Sequence, residues 1–348
     1  QIAELSAVVA AAPRGLIVCG PNCPRGGFPA AVGALAQAAG YPLLADALSG
    51  VRFGEGVAEA GAWLLAGYET SLRAAEVVEA GVPQVVVHFG ATPTSAVVSE
   101  YLSRLPLTTR RISIQADGDW RDDTHTLSDL LWADPETVCR SLAERLDPRG
   151  DAEPGWGAAF RTAEARAWAA FEAARAGNWF EGAILADVVE LLPPGALLYS
   201  ASSLPVRHLD AYARPRPEPL RVFANRGASG IDGTISSALG AAASTDRPLV
   251  LVIGDVAFYH DLNGLLALRR CGVRATIVLI HNDGGGIFRR LPIAQFDPPF
   301  TDLFLTPHGL DFEPAVRMFG AVFVRVAGGE AFREVLRGAV EAERATVI

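Results

Sequence analysis

Short apolar runs alternate with amphipathic stretches along nearly all of this 348-residue chain, and that alternation constrains the fold more than any other feature. "GLIVCG" (15–20), "PLLAD" (42–46), "PQVVVHFG" (83–90) and "RRISIQAD" (110–117) read as strands, with a helix over "PAAVGALAQAAG" (29–40). The charged stretch "DGDWRDDTHT" closes that first sheet. After "LDPRGDAEPG" (146–155) and the Ala-rich helix "AAFRTAEARAWAAFEAARAG", the alternation restarts. Strands are expected at "ALLYSASS" (196–203), "LRVFANRGASG" (220–230), "RPLVLVIGD" (247–255) and "RATIVLIHND" (274–283). Between them "GAILADVVELLPPG", "TISSALGAAAST" and "DLNGLLALRRCG" read as helices. Strand–helix–strand repetition builds parallel sheets with helices on both faces. The expectation is an α/β protein of two doubly wound parallel-sheet domains. The Pro and Gly residues near 150 make the natural boundary: a first domain over 1–150, a linker helix over 151–180 and a second domain over 181–348.

Half of the residues are hydrophobic, enough for two cores of ordinary size. A formal net charge of −9 argues against a broad nucleic-acid surface. No apolar run reaches the length of a membrane span, and Glu4 interrupts the N-terminus where a signal peptide would be apolar. Four cysteines in a chain this long are too few for a disulfide framework, which points to a cytoplasmic compartment. The first residue is Gln, so the chain is read as a segment of something longer, or as processed.

Chemistry collects in the second half. Four expected strands end in small or polar residues: Ser200–Ser203, Asn225–Gly230, Gly254–Asp255 and Asn282–Gly286. Ligands of open parallel sheets bind outside the carboxyl ends of the strands, so these four loops should converge on one crevice. The first half has no GxGxxG. Asp255 and Asn282 offer one carboxylate and one amide oxygen, good ligands for Mg²⁺ and poor ones for zinc. A single carboxylate leaves Mg²⁺ underneutralised and invites phosphate oxygens. The run Gly284-Gly285-Gly286 is explained here as bringing main chain up to such a metal diphosphate. An Asp N-cap and an Asn-Asp-Gly turn without any ligand is the plainer alternative.

The pair resembles the thiamin-diphosphate fingerprint, Gly-Asp-Gly followed some 25–30 residues later by Asn-Asn; here it stands as "GDV" and "HND". Together with "NRGASGIDGTISSALGAA", "GDVAFYHDLNGLLALRR", "NDGGGIFRRLPIAQF" and "LTPHGLDFE", it resembles the 2-succinyl-5-enolpyruvyl-6-hydroxy-3-cyclohexene-1-carboxylate synthases of menaquinone biosynthesis. The first half is similar to that family's middle domain through "ADALSGVR" and "DGDWRD". The resemblance implies a fold of the thiamin-diphosphate enzyme type, with this chain as the middle and diphosphate-binding domains. It implies that the pyrimidine-binding domain, which carries the activating glutamate, is absent from this sequence, so that no catalytic residue is assignable and the segment alone is inactive. The implied reaction joins 2-oxoglutarate, with loss of carbon dioxide, to isochorismate, in a homo-oligomer with the cofactor at the subunit interface.

Carried over by resemblance, the metal ligands are Asp255, Asn282 and the carbonyl of Gly284. The thiamin-diphosphate residues are Ser202, Ser229, Gly230, Ile231 (an apolar prop for the bent cofactor), Gly254, Asp255, Val256, Ala257 and Asn282. The substrate residues are Ser203, Arg207, Arg226, Ile287, Phe288 and Leu291. Arginine suits two polyanionic substrates because its planar fork binds a carboxylate through two hydrogen bonds. Three departures stand out. Ala96 and Val97 replace a basic residue; Ser202 replaces an asparagine; Asp283 stands where the fingerprint has its second Asn. His260 and His281 flank the fingerprint, and both are expected to serve as polar caps more than as bases; His308 is expected to be a loop histidine. Two other readings stay open: another thiamin-diphosphate lyase or decarboxylase, and a non-catalytic diphosphate-binding or partner module.

Overall fold

A computed structural model describes residues 2–147 and 155–348, so the boundary expected near residue 150 lies outside the described residues. The chain forms two compact units. One is Gln1–Asn178 with Asp210–Pro219; the other is Trp179–Leu209 with Leu220–Ile348.

The first unit carries six strands: β1 (Gly15–Cys19), β2 (Leu43–Ala45), β3 (Leu64–Leu65), β4 (Val85–Phe89), β5 (Arg110–Gln115) and β6 (Asp129–Trp132). Their order is β3-β2-β1-β4-β5-β6, and every pairing is parallel. All of β1 is buried, as a strand covered on both faces must be. Where the winding reverses, between β1 and β4, the two following loops close on each other. Ala91 N–H donates to the Pro21 carbonyl at 2.7 Å, and a Cβ at Gly20 would lie 1.7 Å from the Ala91 oxygen.

Two differences from the expected domains appear here. The stretch expected as a linker is the helix Trp156–Gly177, which packs into the first unit. Its Trp156 indole donates to the Gly15 carbonyl, and its Glu164 carboxylate accepts the Ala66 and Gly67 N–H groups at 2.8 and 2.9 Å. Residues 210–219, expected in the second domain, belong to the first unit through a fully buried ion pair. Arg52 and Asp210 meet at 2.9 Å with side chains 0% and 1% exposed. Arg52 also donates to the Ala45, Asp210 and Ala213 carbonyls and to Tyr68 Oη. Of the two residues standing where a basic one was expected, Val97 is buried in the core and Ala96 faces outward, on a helix capped by the Ser95 hydroxyl.

The second unit carries β7 (Leu197–Ser200), β8 (Arg221–Phe223), β9 (Leu249–Gly254), β10 (Thr276–Ile280), β11 (Val322–Phe323) and β12 (Thr346–Val347). The order is β11-β12-β10-β9-β7-β8, again parallel throughout. The winding reverses between β7 and β9, and a doubly wound sheet offers its ligand crevice outside the carboxyl ends of such a pair.

Candidate functional site

Because all six strands of the second sheet run the same way, the loops after β7, β8, β9 and β10 leave from one end. Those strands are neighbours in the order β10-β9-β7-β8. Ile280 pairs with Gly254, so Asp255 and His281 each come one residue past the end of adjacent strands.

Asp255 opens the helix Asp255–His260 and is 2% exposed. Its Oδ1 accepts the Val256 N–H at 2.8 Å and its Oδ2 the Gly284 N–H at 3.1 Å. The second bond closes the β10 loop onto the β9 loop. Asn282 is exposed, and its amide nitrogen donates to Glu181 Oε1 at 2.8 Å. Asp283, with φ of 60°, accepts the N–H groups of Gly309 and His308 at 2.8 and 3.1 Å. Those bonds, Gly309 first, hold its carboxyl below the ordinary range. It anchors the "TPHG" loop.

That loop delivers a residue expected to have no special place. His308 Nε2 lies 3.4 Å from Asp255 Oδ2, and His281 Nε2 lies 3.9 Å from the same oxygen. The two imidazoles stack with centroids 5.4 Å apart and planes 3° from parallel. Ligand atoms of Asp255, His281 and His308 all fall within 4.8 Å of one another. Such a donor set would suit a transition metal, but the tautomer argues otherwise. His308 Nδ1 accepts the Leu310 N–H at 3.0 Å, so Nε2 is the nitrogen that bears the ring hydrogen and offers no lone pair to a metal, and it makes no hydrogen bond to Asp255. The oxygens of Asp255 and Asn282 remain the acceptors that fit a hard divalent cation. A side chain at Gly254 would meet no atom within 4 Å, so the end of β9 is open beside them. The residues present therefore fit Mg²⁺.

The glycine run has a different immediate cause from the one expected. A Cβ at Gly284 would stand 2.1 Å from the Leu305 carbonyl oxygen, and one at Gly285 2.5 Å from that of Phe304. Gly285 N–H donates to Leu305 O at 2.7 Å. The backbone that approaches these two glycines is the chain's own.

The other expected residues fall on the same loops. Ser202 is buried and donates to the Asn225 carbonyl at 3.2 Å, tying the β7 loop to the β8 loop. Ser203 and Ser229 have φ of 75° and 54°, left-handed conformations that mark tight loop turns. Arg207 lies on the helix Leu204–Tyr212 and donates to Ser203 O at 2.8 Å. Arg226 and Gly230 are half-buried, and Ile231 packs against the core. Val256 is half-buried and Ala257 buried. Ile287 and Phe288 lie on the 3₁₀ turn Gly286–Arg290, and Leu291 follows it. Phe288 and Leu291 are 37% and 48% exposed, and Phe288 meets Phe304 edge-on at 5.9 Å. His260 faces solvent at the end of its helix. Sequence reasoning missed Glu181 and the closeness of His308 to Asp255. The signal for His308 was its place in "LTPHGLDFE"; Glu181 had none, because it lies 101 positions from Asn282.

Residues 207–348 match the family described as "Thiamine pyrophosphate enzyme, C-terminal TPP binding domain". Two solved structures share the fold. One is a thiamine diphosphate-dependent 4-hydroxybenzoylformate decarboxylase of Rhodococcus jostii, with TM-score 0.67, 17% identity, and coverage of 100% of this chain and 63% of that one. The other is a putative thiamin diphosphate-dependent enzyme of Mycobacterium smegmatis, with TM-score 0.66, 19% identity, and coverage of 99% and 63%. At these identities the two structures show the fold alone, and the matched domain covers the second part of the chain.

The chain is similar, from end to end, to the 2-succinyl-5-enolpyruvyl-6-hydroxy-3-cyclohexene-1-carboxylate synthases. It is 49% identical to that of Roseiflexus castenholzii over 100% of this chain and 58% of the relative. It is 44% identical to that of Halobacterium salinarum over 97% and 56%. The chain spans a little over half the length of these relatives. No helix among the described residues is long and apolar enough to cross a membrane.

Proposed function

We propose that the second unit is the diphosphate-binding part of a thiamin-diphosphate- and Mg²⁺-dependent synthase that joins 2-oxoglutarate, with loss of carbon dioxide, to isochorismate. The observation that carries this reading is the pair Asp255 and Asn282, one buried carboxylate and one amide at the ends of adjacent parallel strands. Asp255, Asn282 and the Gly284 carbonyl would hold Mg²⁺. Ser202, Ser229, Gly230, Gly254, Val256 and Ala257 would line the diphosphate, with Ile231 as the apolar support. The cofactor, when bound, supplies the electron sink that decarboxylation requires.

The chain's own residues then bind and orient. Arg207 and Arg226 hold substrate carboxylates through charge-assisted hydrogen bonds, with Ser203 as a further donor. Ile287, Phe288 and Leu291 offer an apolar wall to the isochorismate ring. By the same similarity, the whole protein is a homo-oligomer with its cofactor at a subunit interface, works in the cytoplasm, and takes its activating carboxylate from a pyrimidine-binding domain. The first unit is then the middle domain.

Asp255→Ala tests the site. Calorimetry of thiamin diphosphate with Mg²⁺ on the full-length protein should show affinity reduced at least about tenfold, the loss of one charge-assisted contact. Undiminished affinity in the variant would refute the ligand assignment.

A further inference from the structure

We propose that Glu181 is a positioning residue that sets which end of the Asn282 side chain faces the ion. The proposal rests on the reading of Asp255 and Asn282 as ion ligands. An ionised carboxylate only accepts hydrogen bonds. The 2.8 Å contact between Asn282 Nδ2 and Glu181 Oε1 therefore fixes the amide, with its nitrogen toward Glu181 and its oxygen turned away. An amide is close to symmetric in shape, so without such a partner it can present either end. Only the oxygen can serve a hard cation.

Two further features hold the arrangement. Glu181 is the first residue of the helix Glu181–Leu191, where the N-terminal backbone dipole favours a carboxylate. Gly286 leaves room beside the amide nitrogen, since a Cβ there would lie 2.7 Å from Asn282 Nδ2. The second Glu181 oxygen lies 3.7 Å from His208 Nδ1. The third glycine of the run thus has its own purpose, separate from that of Gly284 and Gly285.

The test uses Mn²⁺ as an EPR-visible probe, titrated into the full-length protein with thiamin diphosphate, with melting curves to confirm folding. Glu181→Ala should weaken Mn²⁺ binding about tenfold or more, whereas Glu181→Gln, whose amide oxygen can still accept, should stay within about threefold of the parent. Asn282→Asp should bind poorly beside Glu181, because two carboxylates face each other. Combined with Glu181→Gln it should recover at least about tenfold, since the glutamine N–H₂ can donate to the introduced carboxylate. A merely structural Glu181 would not produce that recovery. If Asp255→Ala leaves Mn²⁺ affinity unchanged, the ion site itself is wrong, and the proposal with it. If Asp255→Ala and Asn282→Ala both lose Mn²⁺ while Glu181→Ala matches the parent, or if Asn282→Asp is equally poor in both backgrounds, the orienting role of Glu181 is overturned alone.

Discussion

Single residues carry most of what the sequence concealed. Three consecutive glycines announce a close approach without naming the approaching group. For Gly284 and Gly285 it is the backbone of residues 304–305, and for Gly286 it is the side chain of Asn282. Gly284→Ala should be costly twice over, with a φ of 132° and a carbonyl oxygen 2.1 Å from the new Cβ. The expected loss is ~2–4 kcal/mol by urea unfolding, backbone strain and overpacking together. Gly272→Ala is the comparison. Its φ is 63° but nothing lies within 4 Å, so its loss should stay near ~1 kcal/mol. Equal losses at the two positions would show that the 304–305 contact contributes nothing. The placement of Asp255 and Asn282 just past the ends of adjacent strands was legible because each follows a local apolar run. Glu181 and His308 were not, because their importance lies in contacts 101 and 53 positions away (282 − 181 and 308 − 255).

Among elements, the long buried strands β1, β4, β5, β9 and β10 were legible from their apolar runs. The edge strands β3, β6 and β11, and β12 beside β11, have two or four residues each, too few to show any period. The segment 210–219 was misplaced for another reason. Nothing in "SGVRFG" marks Arg52 as buried, yet it is the largest fully buried side chain among the described residues. Asp210 balances its charge, and Ala47 N–H also donates to Asp210 Oδ1 at 2.9 Å. Asp210→Ala should therefore leave a buried guanidinium without its counter-charge and destabilise the first unit by ~3–5 kcal/mol. Urea unfolding followed through tryptophan fluorescence would measure it. A loss under ~1 kcal/mol would mean that the carbonyls around Arg52 suffice to hold the segment.

At the scale of the whole molecule, two half-buried imidazoles set an acid limit. Burial lowers the pKa of His88, on β4, from 6.5 to about 4, and burial followed by the nearby Arg290 lowers that of His208 to about 4. Between those values the unfolded chain binds more protons than the folded one. The stabilisation is complete above about pH 6.5 and is lost as pH falls toward 4. Each histidine contributes a slope of up to about 1.4 kcal/mol per pH unit. His88→Gln removes one titrating group, so its melting temperature should fall less steeply than the parent's between about pH 6.5 and 4.5. Parallel curves would show that His88 is protonated in the folded state.

The placement of residues 210–219 also bears on how the molecule can be divided. The chain passes from one unit to the other after Asn178, after Leu209 and after Pro219. No single cut in the gene yields two complete halves. A product beginning at Trp179 would carry a loose strap, residues 210–219, with no partner for Asp210, and one ending at Asn178 would keep Arg52 with an empty slot beside it. Exchanging either half alone therefore parts Arg52 from its own Asp210 unless residues 210–219 travel with the first unit.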